Sequence, residues 1–277
     1  MIINSKKLGT FMVALTTVSV SVLGSSFLTL MIFGKLATEP SSENQPENVP
    51  PIHVPGYPSN SLQSPNQLAN PQYSVDNKPK SFIIDAPIIQ QKPELPSGCE
   101  LTSLTMLLQF YGVKKTKMEL LPEMLVDPTP IQWDDKGNIV YWGNPNLGFV
   151  GDITAKSQGF SIYHTALFQL MATYIPTSVD LTRSSFDLLE RQVAAGIPVV
   201  VWTTIGFKET PRWYVWDSPL GPIKGTFSVH AVLLVGYDES YVYVNDPLTG
   251  VKQEKVLKEQ FIKTWDLQGR QALSYIK

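Results

Sequence analysis

The chain has one cysteine, Cys99, in the stretch Ser97–Tyr111 (SGCELTSLTMLLQFY). Ser97 and Glu100 have the S-x-x-E spacing of a capping box, which predicts a helix from Gly98 with Cys99 as its second residue. Leu101, Leu104, Leu108 and Tyr111 follow at helical spacing and predict one apolar stripe. At a helix start, unpaired backbone N–H groups and the positive end of the dipole favour a thiolate, the nucleophilic form of cysteine. The competing reading of a lone cysteine is a small buried hydrophobe.

A thiolate nucleophile needs a base, and the base needs an orienting group. The chain offers three histidines. His53 lies in a polar, proline-rich stretch, and His164 precedes a predicted helix that it could simply cap. His230 opens the apolar run HAVLLVGYD, and the next extended run ends in Asn245-Asp246-Pro247. If Tyr237 faces Tyr241 across a three-residue turn, Asp246 faces Val232, on the face of the sheet that carries His230. Diagonal neighbours of this kind lie about 7–8 Å apart at Cα, within reach of a carboxylate–imidazole bond. A turn with an even number of residues would put them on opposite faces, so the pair requires an odd turn.

The elements that must position these residues occupy the last two thirds of the chain. Phe82–Ile89 reads as extended, and Lys117–Leu125 as a helix capped by Thr116 with Glu119 in the box position, although Pro122 interrupts it. Residues 127–159 are irregular and rich in Gly, Pro, Asn and Trp, the composition of a loop that lines a site. Helices are predicted over Thr165–Tyr174 and Ser185–Ala195, then a buried strand over Ile197–Ile205 and a second aromatic loop over Gly206–Phe227. Strands over Val229–Tyr237, Tyr241–Asn245, Val251–Lys255 and Gln271–Ile276, with a helix near Leu257–Trp265, complete an α+β pattern.

Ahead of this domain, residues 8–34 form an uncharged, largely apolar run of 27, longer than the roughly 20 residues that span a bilayer. Lys6 and Lys7 before it and Lys35 after it orient the N-terminus to the cytoplasm. The expectation is a single-pass anchor over residues 1–36, a proline-rich stalk over 37–80 and an extracytoplasmic domain over 81–277. The rival is a signal peptide cleaved near Ala37. The net charge of −2, with no basic patch, argues against nucleic acid as a partner. One cysteine excludes an intramolecular disulfide, and the scattered histidines argue against zinc; no cofactor is expected.

The segments APIIQQKPELPSGCELTSLTMLLQFYG, GNPNLGFVGD, GIPVVVWTT, HAVLLVGYD and VYVNDPLTG together resemble the C39-like branch of the papain-fold cysteine peptidases. The resemblance implies a nucleophile helix packed on an antiparallel sheet, with Cys99 as nucleophile, His230 as base and Asp246 as orienting acid. It also implies an oxyanion glutamine, matched by Gln91 with Gln90 adjacent. A peptide or protein substrate is implied too, and the aromatic loops offer Trp142, Trp202, Trp213, Trp216 and Asn144 as candidate walls of its cleft, against the commoner reading of tryptophans as core. The chain departs from relatives that trim bacteriocin leaders, because it has no ATP-binding P-loop and is expected outside the cytoplasm. A cell-wall amidase or endopeptidase, a transpeptidase using the same acyl-enzyme, and a stalked binding module without activity remain alternatives. A cell-wall association is one possibility for the stalked domain.

Overall fold

The computed structural model describes residues 78–277 except Pro211. The apolar run at 8–34 and the stalk up to residue 77 lie outside the described residues. Among the described residues, no helix is long and apolar enough to cross a membrane.

The first strand, β1 (Phe82–Ile83), leads through an irregular segment to α1 (Cys99–Tyr111) and the short α2 (Lys117–Leu120). Thr116 and Glu119 form the expected capping box on α2, but Pro122 confines the next residues to one 3₁₀ turn, Leu121–Glu123, so the helix stops short of Leu125. Four very short strands cross the next region: β2 (Val126–Asp127), β3 (Gln132–Trp133), β4 (Ile139–Tyr141) and β5 (Phe149–Val150). Then come α3 (His164–Tyr174), β6 (Ser178–Asp180), α4 (Phe186–Ala194) and β7 (Val199–Thr204). Ser185 caps α4 by accepting a hydrogen bond from the Leu188 N–H. A small hairpin of β8 (Tyr214–Trp216) and β9 (Ile223–Gly225) precedes β10 (Val229–Tyr237), β11 (Tyr241–Asn245), β12 (Glu254–Leu257), α5 (Lys258–Leu267) and β13 (Ala272–Tyr275).

The main sheet is antiparallel, in the order β12-β11-β10-β7-β13-β6, with β1 also paired to β10. β7 and β10 are buried along their whole length, which explains their unbroken apolar sequences. α1 runs against β10 and β7, where the Ser103 hydroxyl donates to the Ala231 carbonyl at 3.1 Å. The helix buries every residue from Cys99 to Leu108. One stripe does not describe it, because sheet and loops enclose it, while Tyr111 at its far end is exposed.

The β10–β11 connection differs from the expected odd turn. Tyr237 pairs with Val242, leaving four residues in the turn, and Asp238 holds it by accepting from the Ser240 and Tyr241 N–H groups. An even turn alone would set Asp246 on the wrong face. A β-bulge between Leu234 and Gly236 adds one unpaired residue and shifts the register, so that Leu233 pairs with Asn245. Asp246 therefore continues in the register that faces Val232.

The two aromatic loops pack on each other. Trp142, Phe160, Trp216 and Phe227 stack with centroid separations of 5.0–6.2 Å, and Tyr214 meets Phe227 edge-on at 4.9 Å. A Cβ on Gly225 would fall 2.5 Å from the Phe160 ring, so only glycine lets β9 approach this cluster. At the N-terminal edge, Lys78 pairs with Asp187 at 2.7 Å and with Glu190, and the Tyr237 hydroxyl donates to the Pro79 carbonyl at 2.8 Å. These residues, placed in the stalk by composition, are held on the domain.

Candidate active site

Gly98, not Ser97, is the N-cap of α1, so the helix begins at Cys99 and the expected capping box does not form. The reason is local packing. The Gly98 N–H closes a turn onto the Leu95 carbonyl at 2.9 Å, and a Cβ there would meet the Leu95 Cβ at 2.7 Å. With the start shifted by one residue, Glu100 occupies the second helical position and cannot reach back to cap the helix. Its side chain turns inward, where it is almost fully buried. One carboxylate oxygen accepts from the Ser161 hydroxyl, and the other lies 3.3 Å from the Cys99 sulfur.

The thiol is itself buried. Burial and the neighbouring Glu100 carboxylate push it well above the ordinary thiol range, and a backbone hydrogen bond from Ala231 offsets only part of this. The expectation that the helix start delivers a resting thiolate is therefore corrected: desolvation and a like charge outweigh the dipole. Burial also raises the Glu100 carboxyl above its usual value.

His230 and Asp246 are both 2% exposed, and Nε2 of the imidazole lies 2.7 Å from Oδ1 of the carboxylate. Burial pushes Asp246 up, but the bonds from His230 and from the Leu248 N–H outweigh it, and the carboxyl is held below its ordinary value. An ionised Asp246 can only accept, so Nε2 carries a proton, and in the neutral imidazole Nδ1 keeps a lone pair. That nitrogen is the one available to a thiol. Ala231, next in β10, accepts from the Ser103 hydroxyl of α1, and its backbone is among the groups that act on the Cys99 thiol, so helix start and strand start meet here.

The two glutamines separate cleanly. Gln90 is exposed and donates to the Thr249 carbonyl at the edge of the site. Gln91 is buried, and its Nε2 donates to the Pro96 carbonyl, three residues before Cys99. Its backbone N–H bonds the carbonyl of Pro247, next to Asp246, at 2.8 Å, and its own carbonyl accepts from Leu95 and Lys117. These bonds tie Gln91 to both sides of the site, and an amide carries a second N–H beyond the one given to Pro96.

The remaining candidates fall elsewhere. Trp202 and Trp216 are core: their indoles are buried and donate to the Ile162 and Gly143 carbonyls, both at 3.0 Å. Trp142 is buried in the aromatic cluster. Asn144 is a buried loop staple, donating its backbone N–H to Asp127 and its side-chain amide to Ser218, both at 2.8 Å. These four are corrected from cleft walls to framework. Aromatic loops of this size supply their own core, which composition does not distinguish from a binding surface. Trp213 alone of the named tryptophans is half-buried and borders a cavity. Glu100 and Ser161 were not anticipated at the site; the signal was a carboxylate beside the sole cysteine, which the capping pattern absorbed. Among the described residues, no group of three or more His, Cys, Asp or Glu side chains is arranged to hold a metal.

Residues 83–273 match the Peptidase_C39 like family. The chain is 39% identical over 182 residues to the uncharacterized protein YvpB of Bacillus subtilis (strain 168), covering 65% of this chain and 70% of that protein. A Bacillus anthracis crystal structure, described provisionally as a C39-like peptidase, superposes with a TM-score of 0.66 at 40% identity, over 72% of this chain and 98% of that one.

Proposed function

The chain belongs to the Peptidase_C39 like family, and on that premise we propose that it is a cysteine peptidase acting through Cys99, His230 and Asp246. The observation that carries the reading is the buried His230–Asp246 pair at 2.7 Å, with His230 on the strand to which α1 is bonded through Ser103 and the Ala231 carbonyl.

His230 Nδ1 takes the thiol proton as the sulfur attacks the peptide carbonyl, so that a carbon–sulfur bond forms and the carbonyl becomes an oxyanion. A resting thiol fits this concerted route: charge appears only as the carbonyl receives it. The Cys99 backbone N–H and the second N–H of Gln91 stabilise the oxyanion. The imidazolium protonates the leaving amine, the carbon–nitrogen bond breaks and a thioester remains. His230 then deprotonates a water, which hydrolyses the thioester and regenerates the thiol, while Asp246 holds the imidazole in one tautomer throughout. The site lies, in this reading, outside the cytoplasm on a domain tethered by residues 8–34, where exported proteins or wall peptides are the accessible substrates.

The test is hydrolysis of a peptide library by the full-length protein and by Cys99→Ala, with intact-mass detection of the acyl-enzyme on quenching. Cleavage and an adduct, both absent in the variant, support the reading. Cleavage that survives in Cys99→Ala, or none in either protein, would sink it. Release of new amino groups from purified cell wall would assign the same chemistry to wall peptides.

A further inference from the structure

The end of the sheet that carries His230 also borders a cavity of about 270 Å³ that the hydrolytic chemistry does not use. Tyr163, Arg183, Trp213, Lys224 and Gln268 are among the residues that line it. One short segment links it to the nucleophile. Ser161 donates to Glu100 beside the Cys99 sulfur, the Ile162 carbonyl holds the Trp202 indole, and Tyr163, the next residue, lines the cavity. Tyr163 is extended, and an extended residue advances about 3.3 Å, so the cavity begins within two or three residues' reach of the sulfur.

The lining selects a charge. Arg183 and Lys224 are exposed, and neither has an ion-pair partner among the described residues. The Lys224 ammonium lies 5.2 Å over the Trp213 ring, which fixes it at the rim and leaves the indole as an apolar wall. Asp180, whose partners His164 and Thr182 line the cavity, is already engaged by His164 at 2.6 Å and by the Thr182 N–H at 2.9 Å. Gln268, 5% exposed, is another lining residue, and its side-chain nitrogen, itself closed to solvent, has no acceptor among the described residues. Two cations without ion-pair partners at one small cavity are donors without an acidic acceptor, and a carboxylate is the group that would satisfy them.

We propose that this cavity is a substrate subsite for a carboxylate, two or three residues from the scissile bond, gripped by Arg183 and Lys224 with the adjoining methylenes against Trp213. The assignment rests on the peptidase reading and gives its substrate a chemical class: a peptide with an acidic side chain, or a free C-terminus, at that distance.

The test uses the full-length protein carrying Cys99→Ala, so that nothing turns over. Its binding to peptides that differ only in Glu against Gln, each with a free or an amidated C-terminus, is read by tryptophan fluorescence and calorimetry. A Glu-containing or free-acid peptide should bind about tenfold more tightly than its neutral counterpart, the scale of one charge-assisted bond. Which of the two carboxylates matters identifies its source. Adding Arg183→Ala or Lys224→Ala should collapse that ratio, and Arg183→Glu should invert it; these residues are exposed, so folding is not at stake. Equal binding of all peptides, no binding, or a preference that survives these substitutions would overturn the subsite. Turnover of the same peptides by wild-type protein separates the two ideas. Acid-selective binding without cleavage would defeat the peptidase reading alone, and cleavage indifferent to charge would defeat the subsite alone.

Discussion

His230 Nε2 lies 2.7 Å from Asp246 Oδ1, and His164 Nδ1 lies 2.6 Å from Asp180 Oδ2. The lengths differ by only 0.1 Å, and both aspartates are held below their ordinary value despite burial that pushes them up. The surroundings differ. The first pair is closed to solvent on both sides, whereas the His164 and Asp180 side chains are 23% and 35% exposed. The first uses Nε2 and leaves Nδ1 for the residue that opens α1. The second uses Nδ1, and its Nε2 finds only the Thr165 hydroxyl at 3.5 Å. A short His–Asp bond is thus no mark of catalysis. What marks the first pair is the cysteine helix beginning against the same strand, with the thiol, the imidazole and the carboxyl all buried.

The largest expected effect breaks or upholds this contrast directly. His230→Ala should lower kcat/KM on a cleaved peptide by about 10³-fold, the scale of a lost general base. His164→Ala should cost less than about tenfold on that peptide. Comparable losses in the two variants would mean that burial and the neighbouring thiol do not distinguish the pairs.

Stability offers the next, smaller contrast. Asp246→Ala leaves the buried imidazole N–H without its acceptor and should cost about 1–3 kcal/mol in urea unfolding at neutral pH. Asp180→Ala opens a partly solvated pair and should cost about 0–1 kcal/mol. Each aspartate has a folded-state value below its unfolded one, so its contribution is complete above the unfolded carboxylate value. It fades as pH falls through the depressed one. The gap between wild type and Asp246→Ala should therefore narrow below about pH 4. A gap that widened on acidification would show that the aspartate, not the imidazole, is the burdened partner.

Much of this site could be read in the sequence because its parts lie on long elements. Cys99, His230 and Asp246 sit at the boundaries of a thirteen-residue helix and of two strands whose limits, Val229–Tyr237 and Tyr241–Asn245, match the expected ones. Their relation was legible only through two errors that cancel. The turn is even, not odd, and one extra residue near Val235 restores the face. A bulge of one residue leaves no trace in an apolar run buried on both sides, where no alternation exists to be interrupted. The loops were least legible. Strands of two residues such as β2 and β5 are too short for a period, and each is held by the other from a distant point in the chain. Ser161 meets Glu100 across 61 positions, a contact no local pattern encodes.

The smallest effect asks which part of the catalytic pair's surroundings burdens the thiol. Burial is the larger cause and the Glu100 carboxylate the second. Glu100→Gln removes the charge while keeping the size and an acceptor for Ser161. Its iodoacetamide labelling of Cys99 should follow a pH profile displaced to lower pH than wild type, with the midpoint still above that of a free thiol because burial remains. Stability gives an independent reading. The Glu100 carboxyl is raised in the fold, so its contribution is complete below the unfolded glutamate value and is lost as pH rises through the folded one. The glutamine variant escapes that loss and should gain stability relative to wild type at neutral pH, but not in acid. An unmoved labelling profile together with that gain would leave desolvation as the sole cause of the resting thiol. A labelling profile displaced to higher pH would mean that the carboxylate assists ionisation, and that Glu100 belongs with His230 in activating the sulfur.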